Sequence, residues 1–348
     1  MQSPANTLVR AAVVPGLLLI AGCLGNVGRR PTASSGAPDM AMTTEVPPGV
    51  ATPDRLETPI GTLTSFDGVP DEATTQKVYD QLDFHHGVQA FLSGIQIASM
   101  SAMRKGLLEF GPANTTAVLF EDLMDSRSLW LTPNTTSVYM ASWLEMTDEP
   151  WVLETPPDVL GIIDDHWFKY VGDFGRLGPD RGQGGKFLML PPGYDGEVPA
   201  GYHVLRTQTY GHWVIWRGFQ VDGSTRPAVE ATKRDFKMYP WSQRENPPAM
   251  NFVNASGVFS NTIHSMGFEI FEEIDEVVQA EPAAGQSAEI LGALASIGIR
   301  KGQEFAPDER MRSILTEAAK VGAVTVRTIM SRPRDDGFYL YPGESRSW

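Results

Sequence analysis

Two stretches decide the fold: Val138-Tyr139-Met140-Ala141-Ser142-Trp143 and Trp213-Val214-Ile215-Trp216-Arg217-Gly218-Phe219. Each is short, rich in β-branched and aromatic residues, and bounded by polar or turn residues, the pattern of a buried strand. Five more runs of that size accompany them: Ala117-Val118-Leu119-Phe120, Trp151-Val152-Leu153, Trp167-Phe168-Lys169-Tyr170-Val171, Lys186-Phe187-Leu188-Met189-Leu190 and Tyr202-His203-Val204-Leu205. Pro191-Pro192-Gly193 and Pro199-Ala200-Gly201 supply turns between them. Residues 115–220 are therefore predicted to form an antiparallel β sandwich or barrel-like core. No stretch between the runs is long enough for βαβ crossovers, which argues against a doubly wound sheet. Trp213 and Trp216 alternate faces of one strand, so at least one of them is buried.

Outward from this centre the period changes. Asp71 to about Lys105 reads as one long helix, with Asp71 able to cap it and Glu72 suited to the positive end of its dipole. Val78, Leu82, Phe84, Val88, Phe91, Leu92 and Ile95 share a broad apolar face, and His85, Gln89 and Gln96 fall within or beside it. On the other side, Ser260–Ala280, Ser287–Ile299 and Asp308–Met330 repeat apolar residues at helical spacing, making 256–332 a helical region. Helix, strands, then helices is an α+β class. The 34 glycines and 26 prolines suit many turns between short strands.

The N-terminus carries a different message. Arg10 precedes the apolar run Ala11 to Ile20, too short to span a membrane, and residues 1–22 have the layout of a secretory signal. The run ends in Ile20-Ala21-Gly22-Cys23, which resembles the lipobox of bacterial lipoproteins; Cys23, the single cysteine, is the predicted lipidation site and the membrane partner is expected through that lipid. Leu24 after it suggests outer-membrane sorting where the cell has one. Residues 23–69 are Pro-, Ala-, Ser-, Thr- and Gly-rich and read as a disordered tether. That leaves 70–348 as the folded body. The formal charge is −14, and −15 without the signal and its Arg10. Such an acidic chain argues against nucleic acid and against a polybasic grip on anionic lipid.

Standard catalytic motifs are missing. There is no Gly-x-Ser-x-Gly elbow. Gly184-Gly185-Lys186 lacks the first glycine of a phosphate loop and is followed by Phe187 instead of Ser or Thr. Gly172, Gly175 and Gly178 have the wrong spacing for a dinucleotide turn. None of the six histidines forms His-Glu-x-x-His, and no metal or cofactor is expected. Asp164-Asp165-His166 is the densest ligand-capable tripeptide, and a polar turn before a strand accounts for it.

Several segments carry a resemblance. Thr132-Pro133-Asn134-Thr135-Thr136-Ser137-Val138-Tyr139, Asp164-Asp165-His166-Trp167-Phe168 and Gly178-Pro179-Asp180-Arg181-Gly182-Gln183-Gly184-Gly185-Lys186, continuing to Tyr194, are similar to the bacterial family called domain of unknown function 1254. Asn251-Phe252-Val253-Asn254, Asn261-Thr262-Ile263-His264 and Ile297 to Gly302 support it, over about residues 75–340. The resemblance implies export and an α+β body and supplies no agreed reaction. Relatives commonly carry Asp where this chain has Thr136, so a role needing that carboxylate does not transfer. Members usually continue into a second β module, domain of unknown function 1214, which is expected to be missing after Tyr339-Leu340-Tyr341-Pro342-Gly343. Phe338 to Tyr341 would then form an exposed apolar edge favouring self-association.

Two functions stand open: a lipid-anchored protein of the cell envelope that binds a small organic or saccharide ligand, and a metal-independent hydrolase or acid/base enzyme using Asp165, Lys186 and His264. The expected ligand-binding wall is Asn134, Asp165, Lys186 and His264, with His85 approaching from the first helix. A purely structural reading of the same residues has Asp165 pairing with Lys186, Asn134 capping a turn and His85 bonding a backbone carbonyl.

Overall fold

The computed structural model describes residues 47, 49–50, 53–131, 133–146 and 149–334. The signal segment, Cys23, most of the tether and the apolar run 338–341 lie outside the described residues. The chain divides at Pro53/Asp54 into two units. Every helix and strand among the described residues belongs to the second.

The first departure from expectation is at residues 55–70. Composition predicts a tether as far as residue 69, yet β1 (Arg55–Thr58), β2 (Gly61–Phe66) and β3 (Val69–Pro70) form an antiparallel meander. Asp67 (φ 49°) and Gly68 (φ 80°) make its second turn, the Asp-Gly pair that a two-residue hairpin favours. The meander is tied to the helix that comes next: Thr64 N donates to Thr74 Oγ1 at 2.8 Å, and Lys77 Nζ to Thr62 O at 2.9 Å.

That helix, α1 (Glu72–Leu108), begins as the residues predict, with Asp71 accepting from Thr74 N at 2.7 Å. Its apolar face is buried only from Gly87 onward. Val78 and Leu82, expected inside, are 41% and 44% exposed, while their neighbours in the first turns are held by the meander at Thr74 and by Arg310 at Asp80 and Asp83.

The β region contains β4 (Thr116–Leu119), β5 (Ser128–Leu129), β6 (Val138–Glu145), β7 (Trp151–Thr155), β8 (Leu160–Asp165), β9 (Tyr170–Gly175), β10 (Gly185–Leu190), β11 (His203–Arg206) and β12 (Gly211–Gly218). It runs past residue 220 through the helix α2 (Arg226–Asp235) to β13 (Lys237–Pro240), β14 (Asn251–Asn254) and β15 (Ser260–Asn261). Two open sheets result, in the orders β14-β4-β6-β12-β8-β9 and β11-β10-β7-β13, with β5 and β15 a separate pair. They form a sandwich, and a barrel is excluded by their separate edges. Pairing is antiparallel except for β4/β14, β10/β11 and β5/β15, which are parallel. The loop from Pro191 to Tyr202 returns the chain to the end where β10 began, which makes β11 parallel to it. Leu119, Met140, Leu153, Ile163, Phe187, Val214 and Trp216 fill the space between the sheets.

The outer face of the six-stranded sheet carries Ala141, Trp143 and Trp213, and Met100, Met103 and Leu107 of α1 pack onto it. Both tryptophans of the Trp213/Trp216 pair are thus buried, on opposite faces. The far side of α1 meets α3 (Glu269–Ala280), α4 (Ala288–Ala295) and α5 (Glu309–Ser331). The helix expected from Ser260 starts nine residues later because Ser260 and Asn261 pair with β5, and Asn261 O and Thr262 take the space beside Gly106.

Three glycines of α1 let these layers close. A Cβ on Gly87 would lie 2.7 Å from Ala318 Cβ, one on Gly94 2.3 Å from Ile274 Cδ1, and one on Gly106 2.4 Å from the Asn261 carbonyl oxygen. The last obstacle is backbone and cannot swing aside. Gly106→Ala is expected to lower the unfolding free energy by about 2 kcal/mol by overpacking, despite its better helix propensity. Gly292→Ala in α4, where a Cβ meets nothing within 4 Å, should raise it by about 0.5–1 kcal/mol. Urea titrations of the two variants check both signs.

Candidate functional site

The five expected wall residues do not converge. Asn134 closes a local turn, its Oδ1 accepting from Thr136 N at 3.0 Å and Ser137 N at 2.8 Å, while its Nδ2 donates to Tyr139 Oη at 3.2 Å. Asp165 Oδ1 accepts from Trp167 N at 2.9 Å and Lys169 N at 2.8 Å, fixing the turn from β8 to β9. Lys186 pairs with Glu154 at 3.0 Å on the four-stranded sheet, not with Asp165. His264 is buried and its Nδ1 donates to Ser265 O at 2.7 Å. His85 is exposed, with Gln81 Nε2 donating to its Nε2 at 3.0 Å. Local satisfaction of polar groups accounts for all five.

A cavity forms instead where α1 and α3 meet the ends of β6 and β12. It holds about 600 Å³ and is lined by Ser101 and Arg104 of α1, Glu145 and Met146 at the end of β6, His166 in the turn after β8, Tyr210 and Gly211 at the head of β12, and Glu276, Val277, Ala280 and Glu281 of α3 and its end. That volume is in the range of small-molecule sites. Three acid–base contacts build its polar wall. Arg104 Nε donates to Glu145 Oε1 at 2.5 Å. Glu276 accepts from Ser101 Oγ at 2.9 Å and Lys105 Nζ at 2.7 Å. The third, His166 with Glu281, is almost fully buried, the two side chains being 6% and 2% exposed.

Glu281 is the cap residue beyond the last turn of α3, the negative end of the dipole, where a carboxylate is out of place unless donors meet it. Here three do: His166 Nδ1 at 2.7 Å and Gly211 N at 2.9 Å reach Oε1, and Tyr210 N at 2.6 Å reaches Oε2. Burial pushes this carboxyl up, but the hydrogen bonds from His166, Tyr210 and Gly211 outweigh it and hold it below its ordinary value. An ionised carboxylate accepts from Nδ1, so Nδ1 carries the proton. Nε2 of His166 is closed off from solvent and has no hydrogen-bond partner among the described residues; the ring sits edge-on to Trp143 at 5.0 Å. The absence of a side chain at Gly211 is required, since a Cβ there would come within 2.7 Å of His166 Nδ1 and 3.1 Å of Glu281 Oε1.

Behind this pair His212 is wholly buried, bonded to Thr207 Oγ1 at 2.6 Å, and burial lowers its pKa to about 3. Asp164, opposite Trp213 on the helix-facing side of the sheet, is pushed up to about 6 by burial and by Asp165 and Asp173. Among the described residues no group of three or more His, Cys, Asp or Glu side chains is placed to hold a metal ion, and no helix is long and apolar enough to cross a membrane.

In the sequence, His166 stands within an Asp-Asp-His tripeptide that a turn explains, and Glu281 reads only as a helix stop before Pro282. The signal that points to the pair is a carboxylate at the unfavourable end of a strongly amphipathic helix.

Fold and cavity together define an α+β sandwich with a helical layer on one face and a pocket between the two. Residues 114–240 match the family model described as protein of unknown function (DUF1254), so the match falls on β4 to β13, the segment whose motifs carry the resemblance. No curated protein matches the chain. Among solved structures, the VPA0106 protein of Vibrio parahaemolyticus is similar in fold, with a TM-score of 0.52 and 16% identity over 73% of this chain and 60% of that one. An uncharacterized protein of Burkholderia cenocepacia is also matched, at a TM-score of 0.26 and 10% identity over 72% of this chain and 60% of that one. The chain thus spans about three fifths of the length of each of these proteins.

The titrations give opposite signs that denaturation can separate. Between the ordinary aspartate value of 3.8 and about 6, folded Asp164 keeps a proton that the unfolded chain has released, so stability falls as pH rises through that window. Asp164→Asn removes this penalty and should stabilise the protein at pH 7.5 by up to about 3 kcal/mol, with little effect at pH 3.5. Glu281, held below its ordinary 4.5, stabilises above that value and less as pH falls through it. Glu281→Gln should therefore destabilise at pH 7 by about 3 kcal/mol and by less in acid. Urea midpoints across pH 3.5–8 measure both.

Proposed function

We propose that the protein is an exported, lipid-anchored binding protein of the bacterial cell envelope that takes a small organic molecule or sugar into the cavity between α1, α3 and the β6–β12 ends. The observation that carries this reading is the cavity itself: about 600 Å³, with apolar surface from Met146, Val277 and Ala280 beside fixed polar groups, the mixture small-ligand sites use for burial and orientation. Its acid–base pairs are satisfied internally, so they hold their geometry before a ligand arrives and lower the ordering cost of binding. Export and anchoring rest on the Ala11–Ile20 run and the Ala21-Gly22-Cys23 sequence.

Acid/base catalysis is the second reading, and one observation favours it: a carboxylate orients the His166 imidazole by its Nδ1, as in many general bases. Binding stands first because Nε2, the nitrogen that would take a proton, is sealed from solvent.

Protein purified from its native host under non-denaturing conditions is expected to carry a small molecule detectable by mass spectrometry. Ala280→Trp, which places an indole at the exposed edge of the cavity, should remove that molecule while changing Tm by no more than a few degrees. Retention of the molecule by the variant contradicts this placement. Recovery of a chemically altered molecule from added host extract would favour catalysis. For the anchor, a fatty-acid probe should label the wild-type protein and not Cys23→Ala, which should leave the membrane fraction.

A further inference from the structure

The strands whose ends shape the cavity carry a second set of polar groups at their opposite ends. β6 and β12 run antiparallel with Tyr139 opposite Arg217, and Arg217 also faces Leu160 of β8. Because Val214 and Trp216 point between the sheets, Trp213, Ile215 and Arg217 occupy the other face. There α1 packs on the Trp143–Trp213 row; Tyr139, Arg217, Leu160, Ile162 and Ile215 are only half-buried.

Arg217 has no carboxylate within ion-pair distance and no hydrogen bond among the described residues. Arg217 as a residue is half-buried, so its stem lies along the sheet while its guanidinium is left to water or to a ligand. Asp173, opposite Ile162 on the same face, is bonded to Tyr170 Oη at 3.0 Å and does not reach it. Beside Arg217, Tyr139 Oη accepts from Asn134 Nδ2, so the phenol proton is free to donate outward. That orientation is fixed, since Asn134 Oδ1 is taken by two backbone N–H groups and Gln220 Nε2 ties Thr136 O to the chain beyond β12 at 2.7 Å. The result is a donor fork and a hydroxyl donor on directly opposed residues, about 5 Å apart at Cβ, the fork paired with no carboxylate among the described residues.

We propose that this face binds a small organic carboxylate, its two oxygens held by the Arg217 guanidinium and the Tyr139 hydroxyl and its apolar body lying on Ile162 and Ile215. A planar fork matches a carboxylate through paired N–H···O bonds, and the neighbouring isoleucines favour a hydrocarbon body over a fully hydrated inorganic anion. Asn134, expected at a ligand wall, becomes a positioning residue for the tyrosine. The site lies about six residues along the strands from the cavity, roughly 20 Å, and stands or falls apart from it.

The test is calorimetric titration of the full chain with sodium benzoate at constant ionic strength, with chloride as the control and inorganic phosphate as the second probe. Saturable benzoate binding is expected, weakened at least about tenfold by Arg217→Gln and severalfold by Tyr139→Phe, and unchanged by Ala280→Trp. Tyr139→Phe keeps the core packing, so it decides the matter if Arg217→Gln fails to fold. Equal binding by phosphate overturns the carboxylate assignment. Absence of saturable benzoate binding, benzoate binding unaltered in Arg217→Gln or Tyr139→Phe, or its loss in Ala280→Trp overturns the site.

Discussion

A buried carboxylate at the end of a helix organises the cavity between the helical layer and the ends of β6 and β12. Glu281 ends α3, and its oxygens take the N–H groups of Tyr210 and Gly211 at the head of β12 and the Nδ1 of His166 in the turn after β8. One side chain therefore joins the helical layer to two strands of the six-stranded sheet. Its charge would be prohibitive there without those donors, and the His166 and Gly211 donors would be unsatisfied buried groups without the charge. The same requirement explains the bare backbone at Gly211, where a side chain would displace the imidazole.

α1 is the element both halves share. One side closes the outer face of the sheet, and the other forms the helical core with α3, α4 and α5. The cavity sits at the junction, with walls from α1, α3 and strand ends. Glu145, Met146, His166, Tyr210 and Gly211 fall within the segment that matches the DUF1254 family model, residues 114–240, while Ser101, Arg104, Glu276, Val277, Ala280 and Glu281 fall outside it. The pocket is thus a product of the β segment and its helical cover together.

Residue order reveals whatever depends on neighbours in sequence. Asp71 caps its helix as its position suggests, and the seven apolar runs all contribute to strands. β8 escapes such a reading because Leu160-Gly161-Ile162-Ile163 is broken by a glycine, which is there to admit the Phe174 ring across the hairpin. The meander before α1 escapes it because its strands are threonine-rich and exposed, although Asp67-Gly68 is a hairpin signal. The site is less legible, since Glu281 meets His166 across 115 positions and nothing in the Asp164-Asp165-His166 motif points to that partner. Asn134 and Lys186 look chemical because they stand beside proline- or glycine-rich loops, and Asp165 because it stands in an Asp-Asp-His tripeptide; their side chains mostly hold local structure together.

If Glu281 holds the strand start and the histidine in place, amide hydrogen exchange at Tyr210 and Gly211 measures that role directly, comparing wild type with Glu281→Ala. With the carboxylate gone, both amides should exchange faster by roughly tenfold or more, while the amides of α1 between Gly94 and Met103 keep their protection. Unchanged protection at Tyr210 and Gly211 in the variant would contradict it.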